Sequence, residues 1–174
     1  MIIRPAEPVD VEAIARVHVD TWRTTYKGVI PDSVLDALSY EKQTQMWREI
    51  VSGGFSKKFV YVAAEEKRQV IGFALGGPER SSDDIYTGEL YAIYILEAYQ
   101  RRGLGRQMLV SLVKDLVDIG LLSLLVWVLK ANPSRRFYEA LGGQYLGEKQ
   151  LSLGGVQLVE IAYGWRDARH LALD

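Results

Sequence analysis

The chain has 174 residues, a length typical of one domain built around one hydrophobic core. Its 21 basic and 22 acidic side chains nearly cancel, which argues against a protein that binds nucleic acid through a general positive charge. No cysteine is present, so disulfides, thiolate metal sites and a cysteine nucleophile are excluded. The longest apolar run, Leu121 to Leu129, is too short to span a bilayer. We therefore expect a soluble, cytoplasmic protein that binds neither nucleic acid nor membranes.

The first half of the chain predicts helices followed by a β-hairpin. In chain order, the expected elements are a strand at 2–5, a helix at 10–26 capped by Asp10, a helical stretch from 31 to 50 that ends at 52–54, and strands at 59–63 and 70–75 joined by a charged turn at 66–68. Residues 76–84 are rich in glycine and polar side chains, and we expect them to form a loop.

The second half predicts a strand–helix–strand unit and a closing hairpin. The expected elements are a strand at 89–96, a helix at 103–119, an apolar strand at 124–129, a short helix at 132–141, and strands at 145–153 and 156–165 joined by Gly154-Gly155. The helix at 103–119 carries one apolar stripe, formed by Leu104, Met108, Leu109, Leu112, Val113, Leu116 and Ile119. The strands on either side of this helix must be parallel.

These elements together predict an α/β (α+β) fold, in which a mixed central β-sheet is flanked by helices on both faces. The sequence contains no repeat or linker, so we expect a single domain at 1–165. The C-terminal tail at 166–174 is expected to be a loose end or a contact for a partner.

A glycine-rich loop at 100–105 precedes the apolar-striped helix. The first amides of that helix have no partner within it and form a site for an anion. Arg101, Arg102 and Arg106 crowd the same end. Cations there oppose the helix dipole unless a bound anion reverses the interaction. The pattern therefore indicates a phosphate site, and a solvated turn with arginines present by chance is the alternative.

Two other phosphate-binding motifs fit this loop poorly. A P-loop requires Lys and then Ser or Thr after its second glycine, whereas Arg106 and Gln107 follow Gly105. The dinucleotide-binding fingerprint requires a third glycine three residues after the second, where this chain has Met108. A nucleotide-binding module is therefore the weakest of the functions considered.

Two segments of the chain resemble the signature motifs of the GNAT family of N-acetyltransferases. The first is Gln-Arg-Arg-Gly-Leu-Gly at 100–105, which follows the strand Glu-Leu-Tyr-Ala-Ile-Tyr-Ile at 89–95. The second is Asn-Pro-Ser-Arg-Arg-Phe-Tyr-Glu-Ala-Leu-Gly-Gly at 132–143, in which Gly143 stands where the family most often has Phe. The resemblance covers Ile2 to about Trp165, and the two motifs in this order and spacing are specific.

The resemblance implies that acetyl-coenzyme A is the co-substrate. The amides of residues 101–106 would hold the pyrophosphate, the main chain of 93–95 would pair with the pantetheine arm, and Asn132 would hydrogen-bond that arm. The complete coenzyme-binding set that it implies is Ile93, Tyr94, Ile95, Gln100, Arg101, Arg102, Gly103, Leu104, Gly105, Arg106, Asn132, Arg135 and Tyr138.

Acetyl transfer to an amine requires a base and benefits from an acid. An alkyl ammonium titrates near ~10.4, so it must lose a proton before it attacks, and the departing thiolate gains from a nearby acid. From the resemblance, Tyr138 is that acid; simple packing is its alternative role and is the role expected of Phe137. For the base we favour Glu89, acting directly or through water, and a surface or substrate-binding acid is an equal alternative.

The acetyl acceptor is expected to be a primary amine of a small molecule or peptide, which the sequence does not identify. Candidates for its binding wall are Trp22, Tyr26, residues 27–31, Glu89 and Tyr91, with Tyr94 on the same strand. Trp22 and Tyr26 are four residues apart on one helical face, so both are also candidates for the core. His18 and His170 have no further ligand-type residue at a useful spacing, and we predict no metal.

The sequence therefore predicts an acetyl-coenzyme A-dependent N-acetyltransferase. A non-catalytic domain that binds acyl-coenzyme A as a sensor or partner module is the alternative. The closing hairpin offers exposed strand edges, and members of the family often dimerise, so we also predict a homodimer.

Overall fold

The computed structural model describes residues 1–53, 57–65 and 69–172. Seven strands form one sheet in the order β1-β2-β3-β4-β5-β7-β6. The strands are β1 Ile2–Pro5, β2 Phe59–Ala64, β3 Val70–Pro78, β4 Gly88–Ile95, β5 Leu124–Leu129, β6 Gln144–Leu153 and β7 Val156–Trp165. Strands β4 and β5 are parallel and the other neighbours are antiparallel, as the strand–helix–strand pattern and the two hairpins predicted.

Helices cover both faces of this sheet, which confirms the predicted fold class. They are α1 Val11–Thr25, α2 Asp32–Asp36, α3 Tyr40–Val51, α4 Leu104–Asp118 and α5 Arg135–Ala140, with short 3-10 turns at Pro8–Asp10, Glu97–Tyr99 and Ala168–Ala172. Helix α4 packs on β1 to β4 through its apolar stripe, and α1 packs on β3 and β4 from the other side together with α3. We call these the α4 face and the α1 face.

Two predictions about the N-terminal helices were wrong in detail. Asp10 does not cap α1, because its carboxylate accepts hydrogen bonds from the Arg4 guanidinium at 2.6 and 2.8 Å and from the Glu7 amide at 2.8 Å. The helical stretch from 31 to 50 is two helices, because the Ser39 hydroxyl accepts a hydrogen bond from the Lys42 amide and so begins α3 as a new helix. Residue 54, at the predicted stop, lies outside the described residues, as does the predicted turn at 66–68.

The expected loop at 76–84 begins later than predicted, because β3 continues to Pro78. Gly76 and Gly77 pair with Leu90 and Glu89 of β4. A Cβ atom added to Gly76 would lie 2.8 Å from the Glu89 carbonyl oxygen, so the neighbouring strand approaches too closely for any side chain there. Glycine marks a close approach of two strands here, whereas the sequence alone predicted a polar loop.

The expectation of a loose C-terminal end was wrong for residues 166–172. The turn at Ala168–Ala172 packs against α4, and Ala168 and Leu171 are buried in the same core as the helix. The Ala168 amide also donates a hydrogen bond to the Leu122 carbonyl at 2.8 Å. Residues 173–174 lie outside the described part of the chain.

The end of the α4 stripe gives a test of the core. Leu112 is fully buried, whereas Ile119, which the sequence placed in the same stripe, is 42% exposed at the helix terminus. We expect Leu112→Ala to lower the free energy of unfolding by about 2–5 kcal/mol because it leaves a cavity. Ile119→Ala should cost less than about 1 kcal/mol, because much of the removed surface is already in water. Urea unfolding of both variants measures the difference, and equal losses would contradict the assignment of the core.

Candidate active site

The parallel strands β4 and β5 separate in the middle of the sheet. They pair only from Gly88 to Leu90 and from Leu124 to Val126. Beyond those positions β4 continues to Ile95 and β5 to Leu129, with no further pairs between them among the described residues. The strands therefore leave a gap with main-chain edges on both sides, and an extended ligand can enter this gap as an added strand.

A β-bulge at Tyr91 decides which side chains of β4 share a face. Leu75 pairs with Ala92 and Gly76 pairs with Leu90, so Tyr91 is an extra residue in the ladder. A regular strand would place Tyr94 on the face opposite Glu89 and Tyr91. The bulge shifts the alternation by one residue, so that Tyr91 and Tyr94 both pack on the α1 face.

The glycine-rich loop ends at Gly103, the residue that precedes α4. Gly103 has a φ of 78°, which glycine adopts without the strain of a side chain. The first turn of α4 has no acidic residue and no side-chain cap. The first amides of this 15-residue helix therefore lack the anionic partner that usually caps them. Arg101, Arg102 and Arg106 are exposed around this end.

Two side chains brace the loop against β4 and the turn that follows it. The Gln100 amide donates a hydrogen bond to the Ile95 carbonyl at 2.9 Å, at the end of the strand. The Arg102 guanidinium donates to the Ala98 carbonyl at 2.8 Å and lies over the Tyr99 ring. Both side chains therefore form hydrogen bonds within the protein, and these bonds hold the N-terminus of α4 at the end of the gap. Arg135, also predicted to bind coenzyme, is partly exposed and paired with Glu139 at 2.8 Å.

Three tyrosines from separate elements meet at the gap. Tyr26, just after α1, has its hydroxyl 3.4 Å from that of Tyr94 on β4, and it accepts a hydrogen bond from the Asn132 side chain at 3.4 Å. Burial raises the pKa of both Tyr94 and Tyr138, and the charge of an ionised Tyr26 adds to the rise at each. Asn132 is buried, and its carbonyl oxygen accepts from the Ser134 amide at the start of the turn into α5.

Tyr138 is suited to donate a proton. Its ring is buried in the core of the α4 face beside Phe137 and Tyr163. Burial raises its pKa above the ordinary value of a phenol, so it stays protonated at neutral pH. Among the residues that the structure describes, its hydroxyl makes no hydrogen bond. Phe137 packs against the same core, as expected for it.

Glu89 is held by an arginine that the sequence analysis missed. Arg80 Nη2 lies 2.5 Å from one carboxylate oxygen of Glu89, and its Nε lies 3.0 Å from the other. The Arg80 main-chain amide adds a third hydrogen bond at 3.2 Å. Glu89 is buried, so this pairing satisfies its charge. Three hydrogen bonds from Arg80 therefore occupy both oxygens of this carboxylate.

Tyr91 packs beneath the ion pair of Arg80 and Glu89. Its hydroxyl donates to the Pro78 carbonyl, and burial raises its pKa to about 12. The Arg80 guanidinium lies 4.2 Å from the centre of its ring and the Lys58 ammonium 5.6 Å. Tyr91 therefore presents its ring, rather than its hydroxyl, to the α1 face.

An aromatic cluster supports Tyr94 from behind. His18 stacks on Tyr94 with ring centroids 5.6 Å apart and accepts a hydrogen bond from the Trp47 indole at its Nδ1. Burial lowers the pKa of His18 to about 4, so it is neutral and packs within this cluster. Trp22 contacts His18 and Tyr26 edge to face. Trp22 and Tyr26 therefore pack together in the core, and the Tyr26 hydroxyl reaches that of Tyr94 on β4.

The described part of the chain offers no obvious metal site. Within residues 1–53, 57–65 and 69–172, no three His, Cys, Asp or Glu side chains are grouped closely enough to hold a metal ion. In the same ranges, none of the helices has the length and apolar character needed to cross a bilayer.

Comparison with known proteins gives independent results. The FR47-like protein family matches residues 80–151, which include β4, the glycine-rich loop, α4 and α5. The uncharacterized N-acetyltransferase YuaI of Bacillus subtilis is 43% identical over 165 residues, which cover 95% of this chain and 92% of that protein. The Mycobacterium tuberculosis probable N-acetyltransferase Rv2775 is 28% identical over 92% of this chain and 91% of its own.

Solved structures share the fold at lower identity. The ribosomal-protein-alanine N-acetyltransferase of Brucella melitensis superposes with a TM-score of 0.73 at 22% identity, covering 95% of this chain and 99% of that one. The putative acetyltransferase yncA of Salmonella typhimurium, solved with acetyl-CoA, has a TM-score of 0.71 at 23% identity over 95% and 92% of the two chains. The similarity to these relatives, together with the gap and the glycine-rich loop, shows that the chain belongs to the GNAT family of acetyl-coenzyme A-dependent N-acetyltransferases.

Proposed function

We propose that this protein transfers the acetyl group of acetyl-coenzyme A directly to a primary amine at the gap between β4 and β5, with Tyr138 as the acid. The observation that carries the proposal is the gap between β4 and β5, which ends at an uncapped helix N-terminus, with the protonated Tyr138 in the core of the adjoining α4 face. We propose a single domain at 1–165 for this activity, and a cytoplasmic location, which the lack of cysteine supports.

The chain's own groups fit acetyl-coenzyme A, which supplies the thioester. The amides of Leu104, Gly105 and Arg106, with the surrounding arginines, would hold the pyrophosphate. The free edge of β4 at 93–95 would bind the extended arm through its main chain. Gly105 lies against α5, because a Cβ atom there would make an ordinary contact with the Phe137 ring at 3.4 Å.

The three buried phenols support donation rather than abstraction of protons. Burial is the first cause of the raised pKa of Tyr26, Tyr94 and Tyr138, so all three hold their protons at neutral pH. The base that accepts the proton of the amine must therefore be another group. We propose Glu89, acting through a water because Arg80 occupies both of its oxygens. Placement of the two substrates would supply much of the acceleration.

The acceptor would bind on the α1 face of the gap. Trp22 and Tyr26 form one wall, and the ring of Tyr91 forms another. The tip of the β6–β7 hairpin packs against the start of α2, where Gly154 lies beside Val34 and Pro31. These contacts would close the acceptor side of the site and separate it from the coenzyme on the α4 face.

Replacing Tyr138 by Phe tests the acid. We expect Tyr138→Phe to lower kcat and kcat/KM by roughly 10²- to 10⁴-fold, because it removes the positioned proton donor. The melting temperature and the affinity for coenzyme A should remain close to wild type. Assays of free thiol with an amine panel measure turnover.

Tyr163→Phe is the matched control, since its ring neighbours that of Tyr138 but its hydroxyl donates to Glu139. We expect that variant to retain turnover. Unchanged turnover in Tyr138→Phe, with chemistry shown to be rate-limiting, would assign the proton to water. Absence of thiol release with every amine would favour the non-catalytic sensor.

Aspartate substitution at two glycines of α4 tests the phosphate site. Gly103 and Gly120 flank the same helix, both at positive φ and both with room for a Cβ atom. Each substitution should cost about 1 kcal/mol of stability from backbone strain. Only Gly103→Asp should abolish coenzyme A binding, because it brings a negative charge to the pyrophosphate. Calorimetric titration measures the affinity, and normal binding by Gly103→Asp would show that the site lies elsewhere.

Ligand-dependent melting tests the choice of coenzyme. A ligand that binds only the folded protein stabilises it by RT ln(1 + [L]/Kd). We expect coenzyme A or acetyl-coenzyme A to raise the melting temperature and ATP or NAD to do so much less. A larger shift with NAD would contradict the assignment.

We also propose a homodimer, supported by the free edge of the sheet. Strand β6 is the last strand in the order and is ten residues long, and Tyr145 is 59% exposed on it. An edge of this length favours pairing with a second copy. Light scattering at micromolar concentration should give about twice 19.6 kDa, and the monomer mass alone would exclude the dimer.

A further inference from the structure

An ammonium group already occupies an aromatic and acidic site beside the gap. The Lys149 Nζ of β6 lies 3.9 Å from the centre of the Trp127 ring on β5. The same atom lies 3.5 Å from a carboxylate oxygen of Glu160 on β7. A ring face and a carboxylate that share one cation make an arrangement that binds organic ammonium groups.

The strand register explains how three strands build this arrangement. Lys149 is directly opposite Glu160, Glu160 is opposite Leu129, and Trp127 is opposite Ala162. Opposite residues of antiparallel strands share a face. Trp127 packs with Leu125 and Ala162 rather than with the α4 core, so the whole group lies on the α1 face.

This group is next to the gap and on its acceptor side. Trp127 is the first residue of β5 after the last pair with β4, which is at Val126. Leu129, opposite Glu160, packs against Tyr26.

We propose that Trp127 and Glu160 form a binding site for an ammonium group of the acetyl acceptor, and that the Lys149 side chain occupies this site until the acceptor displaces it. The inference rests on the proposed acetyl transfer to an amine and names the residues that would select the amine. A structural ion pair between neighbouring strands is the competing interpretation.

Displacement of Lys149 is physically easy. Its side chain is 50% exposed, and exposed ion pairs contribute little to stability because solvent screens them. Glu160 is 21% exposed and Trp127 is partly buried, so the receiving groups stay in place when Lys149 leaves. An incoming ammonium then makes the same two contacts while the rest of the acceptor binds near Tyr26.

A binding experiment tests the site without any acetyl transfer. The probe is tetramethylammonium, which cannot be acetylated, and its neutral control is tert-butanol. The indole N–H signal of Trp127, assigned with Trp127→Phe, is followed by NMR during titration at constant ionic strength. We expect a saturable shift with tetramethylammonium in Lys149→Ala and a weaker one in wild type, where Lys149 competes.

Adding Glu160→Gln to Lys149→Ala should reduce the affinity for tetramethylammonium roughly tenfold, because the carboxylate is lost and the shape is kept. Tert-butanol should give no saturable shift in either protein. A shift of equal midpoint in both variants, or no shift in Lys149→Ala, would overturn the site. Because no turnover is required, this result stands whether or not the proposed function does.

Kinetics with the best amine of the panel separate the site from a structural ion pair. If the ion pair is only structural, Lys149→Ala and Glu160→Gln should change the KM for the amine alike. The proposal instead expects Lys149→Ala to lower that KM and Glu160→Gln to raise it roughly tenfold, with the KM for acetyl-coenzyme A unchanged. Glu148→Gln is the matched control. It removes the exposed ion pair between Lys130 and Glu148, which is next to Lys149 on β6, and it should change neither KM.

Discussion

The separation of β4 from β5 after three residue pairs determines where chemistry can take place in this protein. A sheet that stays paired would bury every main-chain group and leave no room between its central strands. Here the bulge at Tyr91 adds a residue to β4 near the last pair, and bulges bend a strand and increase its twist. The edges that result are unpaired in the middle of the molecule, where an extended coenzyme arm can complete the ladder.

The sheet also separates two kinds of charge. On the α4 face, the loop after β4 carries arginines and an uncapped helix N-terminus, which suit a phosphate. On the α1 face, carboxylates are paired with arginine or lysine over aromatic rings, as at Glu89 and Glu160. Tyr138, from the α4 face, and Tyr26, beside α1, meet at the gap. In the proposed mechanism the acetyl group moves between substrates held on opposite faces, Tyr138 donates a proton to the departing thiolate, and Glu89 accepts the proton of the amine through a water.

Cations of the chain cover the aromatic rings of the acceptor side. Arg80 and Lys58 lie over Tyr91, and Lys149 lies over Trp127. Such rings attract cations. A cation of a ligand can take the place of a side chain over the ring when that side chain is held only weakly by its other contacts. Arg80 is bound to buried Glu89 through two side-chain hydrogen bonds, whereas the ion pair of Lys149 with Glu160 is longer, at 3.5 Å, and its lysine is half exposed. This difference explains why the inferred ammonium site is at Trp127 rather than at Tyr91.

The sequence by itself determined the strands, the helix after the glycine-rich loop and the family, because apolar periodicity and the spacing of the two motifs are local properties of the chain. It also identified Tyr138 and Glu89 as candidates, although their roles stay predictions. Only the tertiary structure revealed the Arg80 partner of Glu89, the bulge that brings Tyr91 and Tyr94 to one face, and the packed C-terminal turn. The proposed site formed by Trp127 and Glu160 also became visible only in the tertiary structure. These features depend on strand register and on contacts between residues far apart in the chain, and no local pattern records either.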